Sequence, residues 1–254
     1  MPLAFPPRYA ILLFVVQYYE RKRGVCVNKL SHHPHIDLYR HLAFAAVGGF
    51  FGGYAILSHS GIMGSAQTVN LLELLMDILR LDGGGVLVHF GALVLYVIGT
   101  MLTVILPRKW GVDMHYISPA VTAVCAVIVA VIPREVNTVL ALYPVFFAMS
   151  VQWSSFPGAE GFYSSTIFST NNTKQASLSL AEFLCDGDRV HLKKTRFYAL
   201  TLLCFHIGAA ISFFGVKWWG LQGSLLVLPL VAWSWMLAVC ERRYERTVKA
   251  EEGA

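Results

Sequence analysis

Six apolar runs, 41–57, 86–106, 116–132, 136–152, 197–216 and 219–239, leave this chain few ways to fold in water. A helix that crosses the hydrocarbon core of a bilayer takes roughly 20 apolar residues. The runs sit at or just under that length and are joined by short connections, so they predict six membrane-crossing helices. Composition agrees: 56% of residues are hydrophobic and only 14% charged, with a mean hydropathy of +0.57, too apolar for a soluble domain of this length. The expected fold class is all-α, a polytopic helical bundle. Its single membrane domain spans 41–240, with halves 41–132 and 136–239, and a charged tail follows at 241–254.

The ends of the runs carry the aromatic and cationic anchors expected at a membrane surface: Pro107-Arg108-Lys109-Trp110, Pro133-Arg134, Lys217-Trp218-Trp219 and Glu241-Arg242-Arg243-Tyr244. With the N-terminus inside, all but Arg80, Arg134 and Lys217 of the 20 Lys and Arg fall on the inner side. Both termini are therefore expected in the cytoplasm. The formal charge of +5 comes from these blocks beside apolar runs rather than from basic residues interleaved with exposed aromatics, which argues against nucleic acid as a partner.

Residues 1–40 read differently. The apolar stretch 10–16 is too short to span, and Glu20-Arg21-Lys22-Arg23 follows without a small-residue cleavage site, so we expect an interfacial anchor or a targeting segment. His32-His33-Pro34-His35, with Asp37 and His41 nearby, lacks the spacing of a metal site and reads as a solvated loop. The five cysteines form no C-x-x-C pair, which speaks against disulfides and thiolate metal sites.

Polar residues break the apolar pattern twice. Gly64-Ser65-Ala66-Gln67-Thr68-Val69-Asn70 interrupts the first half, and Phe168-Ser169-Thr170-Asn171-Asn172-Thr173 the second, so that Thr68 and Asn70 are matched by Thr170 and Asn172. Each break leads into a short helical run, 68–81 or 173–185, expected to dip into the membrane or lie on it. Glu73, Asp77 and Arg80 share one side of the first run, which we read as a solvated or interfacial face. Counting both runs as crossings would give eight spans, but so few residues with three ionisable groups insert poorly. Three spans per half is an odd number, so the second half would be inverted and the two breaks would meet near the midplane. Thr and Asn can donate and accept hydrogen bonds there without bringing in charge. The competing reading is interhelical packing, helped by Gly48-Gly49 and Gly52-Gly53; repetition of the placement favours function.

The same motifs carry a resemblance. Gly48-Gly49-Phe50-Phe51 leading to Ser65-Ala66-Gln67-Thr68-Val69-Asn70-Leu71, then Met149-Ser150-Val151-Gln152 leading to Ser169-Thr170-Asn171-Asn172, looks like the YoaK-like family of six-span membrane proteins of unknown function, over roughly residues 43–240. The resemblance implies fold and membrane location, and no substrate. Val69 stands where that family usually places Gly, and Gly52 stands near the place where relatives commonly carry an Asp in the first span. Any coupling that depends on that Asp is therefore not expected here.

His89 and His206 lie inside apolar runs and invite a role as proton relay or solute ligand, with a neutral packing histidine as the equal alternative. His89-Phe90-Gly91-Ala92 is echoed by His206-Ile207-Gly208-Ala209, although the distances to the following basic anchors differ between the halves. No hydrolase, metalloprotease or nucleotide-binding signature occurs, so no enzyme activity, cofactor or metal is expected. Asn171-Asn172-Thr173 is a glycosylation sequon that faces the cytoplasm with six spans. The expected function is a permease for a small, neutral or weakly acidic solute, lined by Gln67, Thr68, Asn70, Thr170, Asn172 and Gln152. The alternative is a membrane scaffold or assembly factor that binds another subunit. The expected partners are the lipid bilayer and the solute, and a homo-oligomer is allowed.

Overall fold

The computed structural model describes residues 36–58 and 67–252. The basic N-terminal segment, the His32–His35 loop and the Gly64-Ser65-Ala66 start of the first polar motif lie outside the described residues. What is described is an all-α bundle: α1 (Ile36–Ser58), α2 (Gln67–Leu79), α3 (Gly83–Trp110), α4 (Met114–Val131), α5 (Thr138–Ala141), α6 (Tyr143–Ser155), α7 (Thr170–Asp186), α8 (Arg189–Trp219) and α9 (Leu228–Glu252). A two-strand ribbon, β1 (Gly158–Ala159) and β2 (Phe162–Tyr163), separates α6 from α7, and a 3-10 stretch, Gly220–Val227, leads into α9. Four stretches, Ile36–Ser58, Gly83–Trp110, Met114–Val131 and Arg189–Thr247, are long and apolar enough to cross a membrane.

The apolar runs and the helices coincide with two corrections. The run at 136–152 is not one helix: Leu142 separates α5 from α6, and Pro144, which cannot donate a backbone hydrogen bond, restarts the helix in the first turn of α6. The run at 219–239 begins as the 3-10 stretch, because Gly215 and Gly223 bring two backbones together in a tight reversal. Elsewhere the ends follow local rules. Asp82, Asp113, Asn137 and Asp188 cap the N-termini of α3, α4, α5 and α8 by accepting from the next backbone N–H groups. Gly111 and Gly187 close α3 and α7 in the left-handed conformation.

Six helices run alternately between two ends of the bundle. At one end, Arg40 of α1 pairs with Glu241 of α9, and Arg242 of α9 meets Asp113, before α4, at 2.9 Å. There too Asp37 accepts the Glu160 N–H of the ribbon at 2.7 Å, and Lys193 of α8 lies 3.4 Å from Glu160. At the other end, Leu57, Pro133, Val136, Val216 and Leu221 line one cleft of about 310 Å³, collecting the finish of α1, α4 and α8 and the approach to α6 and α9. The Tyr143 hydroxyl donates to the Val88 carbonyl at 2.7 Å and brings the start of α3 there as well. Thus α1, α4 and α8 run one way and α3, α6 and α9 the other. Chain direction leaves α2 and α7 no room to traverse the bundle, since α1 ends where α3 begins and α6 ends where α8 begins.

Packing between these helices comes in twos. α1 lies along α8 as α6 lies along α3; α9 packs on α1 as α4 packs on α6; α7 docks on α8 as α2 docks on α3. The central helices are α1, with 67% of its apolar window buried, and α6, whose Val145, Phe146, Ala148 and Met149 are fully enclosed. The closest approach joins α1 to α8. A Cβ at Gly49 would overlap the backbone of Phe205, one at Gly53 the Ser212 hydroxyl, and one at Gly208 the Ala46 carbonyl. Small residues let two backbones touch, which gains dispersion contact along the whole seam. Gly99 of α3 admits Ser150 of α6 in the same way.

This seam yields a differential prediction. Gly49→Ala and Gly208→Ala should each lower stability by about 1–3 kcal/mol through overpacking. Gly52→Ala, whose nearest neighbour would be the Phe205 ring at 3.6 Å, should be neutral or slightly stabilising. Thermal unfolding of the detergent-solubilised protein measures all three, and equal effects would refute the close approach.

Candidate functional site

Between β2 and α7 the chain is neither helix nor strand, yet it is buried: Ser164, Ser165, Thr166 and Ile167 are at most 6% exposed. A Cβ at Gly48, near the midpoint of α1, would overlap the Thr166 carbonyl, so this extended segment lies at the mid-height of the central helix. Buried backbone without a regular ladder must be satisfied by side chains, and two residues do this. Asn172, in the first turn of α7, donates to the Ser165 carbonyl at 2.7 Å and the Phe168 carbonyl at 3.1 Å, and accepts from the Ser164 hydroxyl at 2.9 Å. Gln152 of α6 reaches across to α1, donating to the Phe44 carbonyl at 3.0 Å and to the Thr166 hydroxyl at 3.2 Å.

The Gln152 side chain is fully buried, and its Oε1 accepts no hydrogen bond from the described residues. One turn down α1, His41 is also fully buried, stacked on Phe197 at 5.2 Å, with neither ring nitrogen bonded to a described residue. An unsatisfied buried acceptor costs about 1–3 kcal/mol. These two side chains, each near Phe44 of α1, keep hydrogen-bonding capacity that the described residues do not use.

The other predicted site residues fall elsewhere. Asn70 docks α2 on α3: its Nδ2 donates to the His89 carbonyl and to Gln67 Oε1, both at 3.0 Å, and its Oδ1 meets His89 Nδ1 at 3.1 Å. Thr68 and Thr170 are exposed at the starts of α2 and α7. Gln67, Asn70 and His89 thus form one cluster and Gln152 and Asn172 border another; among the described residues α2 packs chiefly on α3 and α7 on α8. His206 is exposed and bonds its own helix at the Leu202 carbonyl, 2.7 Å away, far in role from His89. The echo between their sequences therefore has no common environment: Gly91 makes room for the Tyr143 hydroxyl, Gly208 for backbone.

The structure corrects the reading of α2. Its buried residues are Asn70 and Asp77, and its Leu72, Leu75, Ile78 and Leu79 are outside. Asn70 and Asp77 face in and these apolar residues face out, so Asp77 does not lie on the solvated or interfacial side, on which Glu73 and Arg80 are exposed. α7 repeats the arrangement, burying Asn172 and, again seven residues on, Ser179. Sequence reading passed over Ser164–Thr166, put Asp77 on a solvated or interfacial face and took His41 with a solvated loop, whereas His41 is buried within α1; the shared seven-residue spacing was the available signal for Asp77.

At the end where α1 starts, Asp113 balances opposing effects. Burial pushes its carboxyl up, and the His115 backbone N–H at 3.0 Å and the Arg242 guanidinium outweigh this, leaving it below its ordinary value. No group of three or more metal-ligating side chains occurs among the described residues.

The sequence profile of a family described as "Protein of unknown function (DUF1275)" matches residues 41–239. No curated protein and no solved structure matches the chain.

Asn172→Ala should cost at least about 2 kcal/mol, because two carbonyls and a hydroxyl lose their buried partner, while exposed Thr170→Ala should stay within about 0.5 kcal/mol. Unfolding in detergent discriminates; a silent Asn172→Ala would mean that the amide is not docked. The depressed Asp113 value implies stability that is full above the ordinary carboxylate range and lost as pH falls through the folded-state value. Melting temperature followed across acidic pH should therefore fall less steeply in Asp113→Asn than in the parent protein.

Proposed function

This chain belongs to the DUF1275 family, and from that premise we propose that it is an integral membrane protein of six crossings that acts as a permease for a small, neutral, polar solute. The observation that carries the reading is the buried, non-helical Ser164–Ile167 segment at the mid-height of α1, beside the unsatisfied Gln152 Oε1. In a bilayer, irregular backbone at that depth is tolerated only inside protein or along a polar cavity, and substrate sites of transporters are built on such breaks. The unsatisfied Gln152 Oε1 suits a hydroxyl or amide donor on the solute.

The paired packing supports two inverted halves. Exchanging α1 with α6, α2 with α7, α3 with α8 and α4 with α9 maps the main contacts onto one another. Three crossing helices per half reverse the second half, and the alternating directions of the six helices fit that count. The cytoplasm would hold the end with Arg40, Arg242 and Lys193, following the excess of basic residues. In this reading the site is Gln152, Thr166, His41 and the Phe44 carbonyl, with Asn172 holding the segment and Asn70 the corresponding helix of the first half.

One observation favours the scaffold alternative: the Asn70 and Asn172 amides are already engaged within the protein. Proteoliposome swelling separates the two. With glycerol, urea and small sugars as osmolytes, at least one should enter faster than into empty vesicles, and Gln152→Leu should slow it about tenfold, the equivalent of about 1.4 kcal/mol. Swelling equal to that of empty vesicles for every osmolyte, together with stoichiometric recovery of a membrane partner, would replace the permease by the scaffold.

A further inference from the structure

The hairpin of α2 and α3 buries an aspartate–histidine contact, whereas the hairpin of α7 and α8 carries its acidic–histidine contacts, His191 with Glu182 and Asp186, in the open. Both close with a left-handed residue, Leu81 (φ 58°) or Gly187 (φ 71°), followed by a capping aspartate, Asp82 or Asp188. Both bury an asparagine and the residue seven positions on. In α7 that second residue is Ser179, whose hydroxyl bonds its own helix at Gln175. In α2 it is Asp77, 7% exposed, with its Oδ2 3.6 Å from His89 Nε2. Counting from the capping aspartates, His89 stands opposite Thr195, so the second hairpin has no ionisable group at either place.

Hydrogen bonding fixes which nitrogen of His89 carries a proton. The His89 backbone carbonyl can only accept, so the Asn70 amide nitrogen must face it. That leaves Asn70 Oδ1, an acceptor, 3.1 Å from His89 Nδ1, which must be the N–H. In a neutral imidazole Nε2 is then bare. It faces Asp77 Oδ2, also an acceptor, which takes no hydrogen bond from the described residues. Two acceptors confront each other 3.6 Å apart, too far for a formed bond, and the Asp77 Oδ2 is buried from water.

We propose that Asp77 and His89 form a single-proton site inside the first hairpin. One proton taken from water forms an Nε2–H bond that points at Oδ2, breaks no other bond, and takes the pair from one negative charge to none. α3 is the element packed on α2 among the described residues. The groups near the pair are Asp82, engaged on the Gly84 and Gly85 N–H groups, and Tyr143 of α6, bound to the Val88 carbonyl. Glu73 and Arg80 of α2 are exposed. The protonated pair clamps α2 on α3; loss of the proton leaves a bare carboxylate under an apolar helix, which a low-dielectric setting opposes. The site does not rest on the permease reading. If solute flux is observed, the proton held here is the ion available to couple it.

The test needs no flux. Protein labelled with ¹⁵N-histidine in lipid nanodiscs is titrated by NMR, with the His89 signals identified by their loss in His89→Gln. The expected result is the Nδ1–H tautomer at high pH, followed by protonation at Nε2 as pH falls. In Asp77→Asn that step should disappear, because an amide donates to Nε2 without ionising. Should Asp77→Asn fail to fold, Asp77→Ser copies the second hairpin and should move the step to lower pH. An Nε2–H tautomer in the parent protein, or a His89 step unchanged by removing the Asp77 carboxyl, overturns the proposal.

Discussion

Contact between the α1 and α8 backbones sets what else this bundle can be. Gly49 and Gly53 on one helix and Gly208 on the other remove the side chains that would hold the helices apart. The aromatic side chains of α1, Phe44, Phe50, Phe51 and Tyr54, are thereby turned to the remaining neighbours and are fully enclosed. Space opened at Gly48 is filled by main chain from Thr166. A wider spacing would leave the extended segment without a wall and the core with cavities, and tight cores tolerate neither.

Once irregular backbone lies that deep, its polar groups dictate the chemistry around it. Asn172 and Gln152 are consumed in satisfying carbonyls from three different parts of the chain. What they leave over, the Gln152 Oε1 and the ring of His41, is the polar capacity available to something else. The same logic explains the buried polar residues of α2 and α7. Their asparagines and the residues seven positions on are the docking face, and the leucines outside would be stable against lipid rather than water.

The paired packing of the helices is matched by unequal chemistry. Under exchange of the halves, Asn70 finds Asn172 and the capping aspartates find each other, but Asp77 finds Ser179 and His89 finds Thr195. At those two positions packing does not require the charge. The α7–α8 seam has its acidic–histidine contacts in the open, where His191 lies 3.1 Å from Glu182 and 3.2 Å from Asp186, whereas the Asp77–His89 contact is buried, with the cost that burial imposes. At one end of the bundle charges are paired outright: Arg40 with Glu241 and Arg242 with Asp113 tie α9 back to α1 and to the turn before α4.

The sequence by itself determined the helical class, the placement of the long apolar helices α1, α3, α4 and α8 and the two polar interruptions, because spanning length, hydropathy and capping residues are local and additive along the chain. Asn70 and Asn172 were legible as a pair for the same reason. Only the tertiary structure decided that these asparagines sit in separate clusters, that Gln152 rather than Thr68 or Thr170 is enclosed, and that Asp77 faces inward against His89. Periodicity places a residue on a side of a helix, but which side is buried depends on the neighbour that packs there. For α2 that neighbour is α3, and a helix outside water can be stable with its apolar side outward, a choice that composition and spacing do not encode.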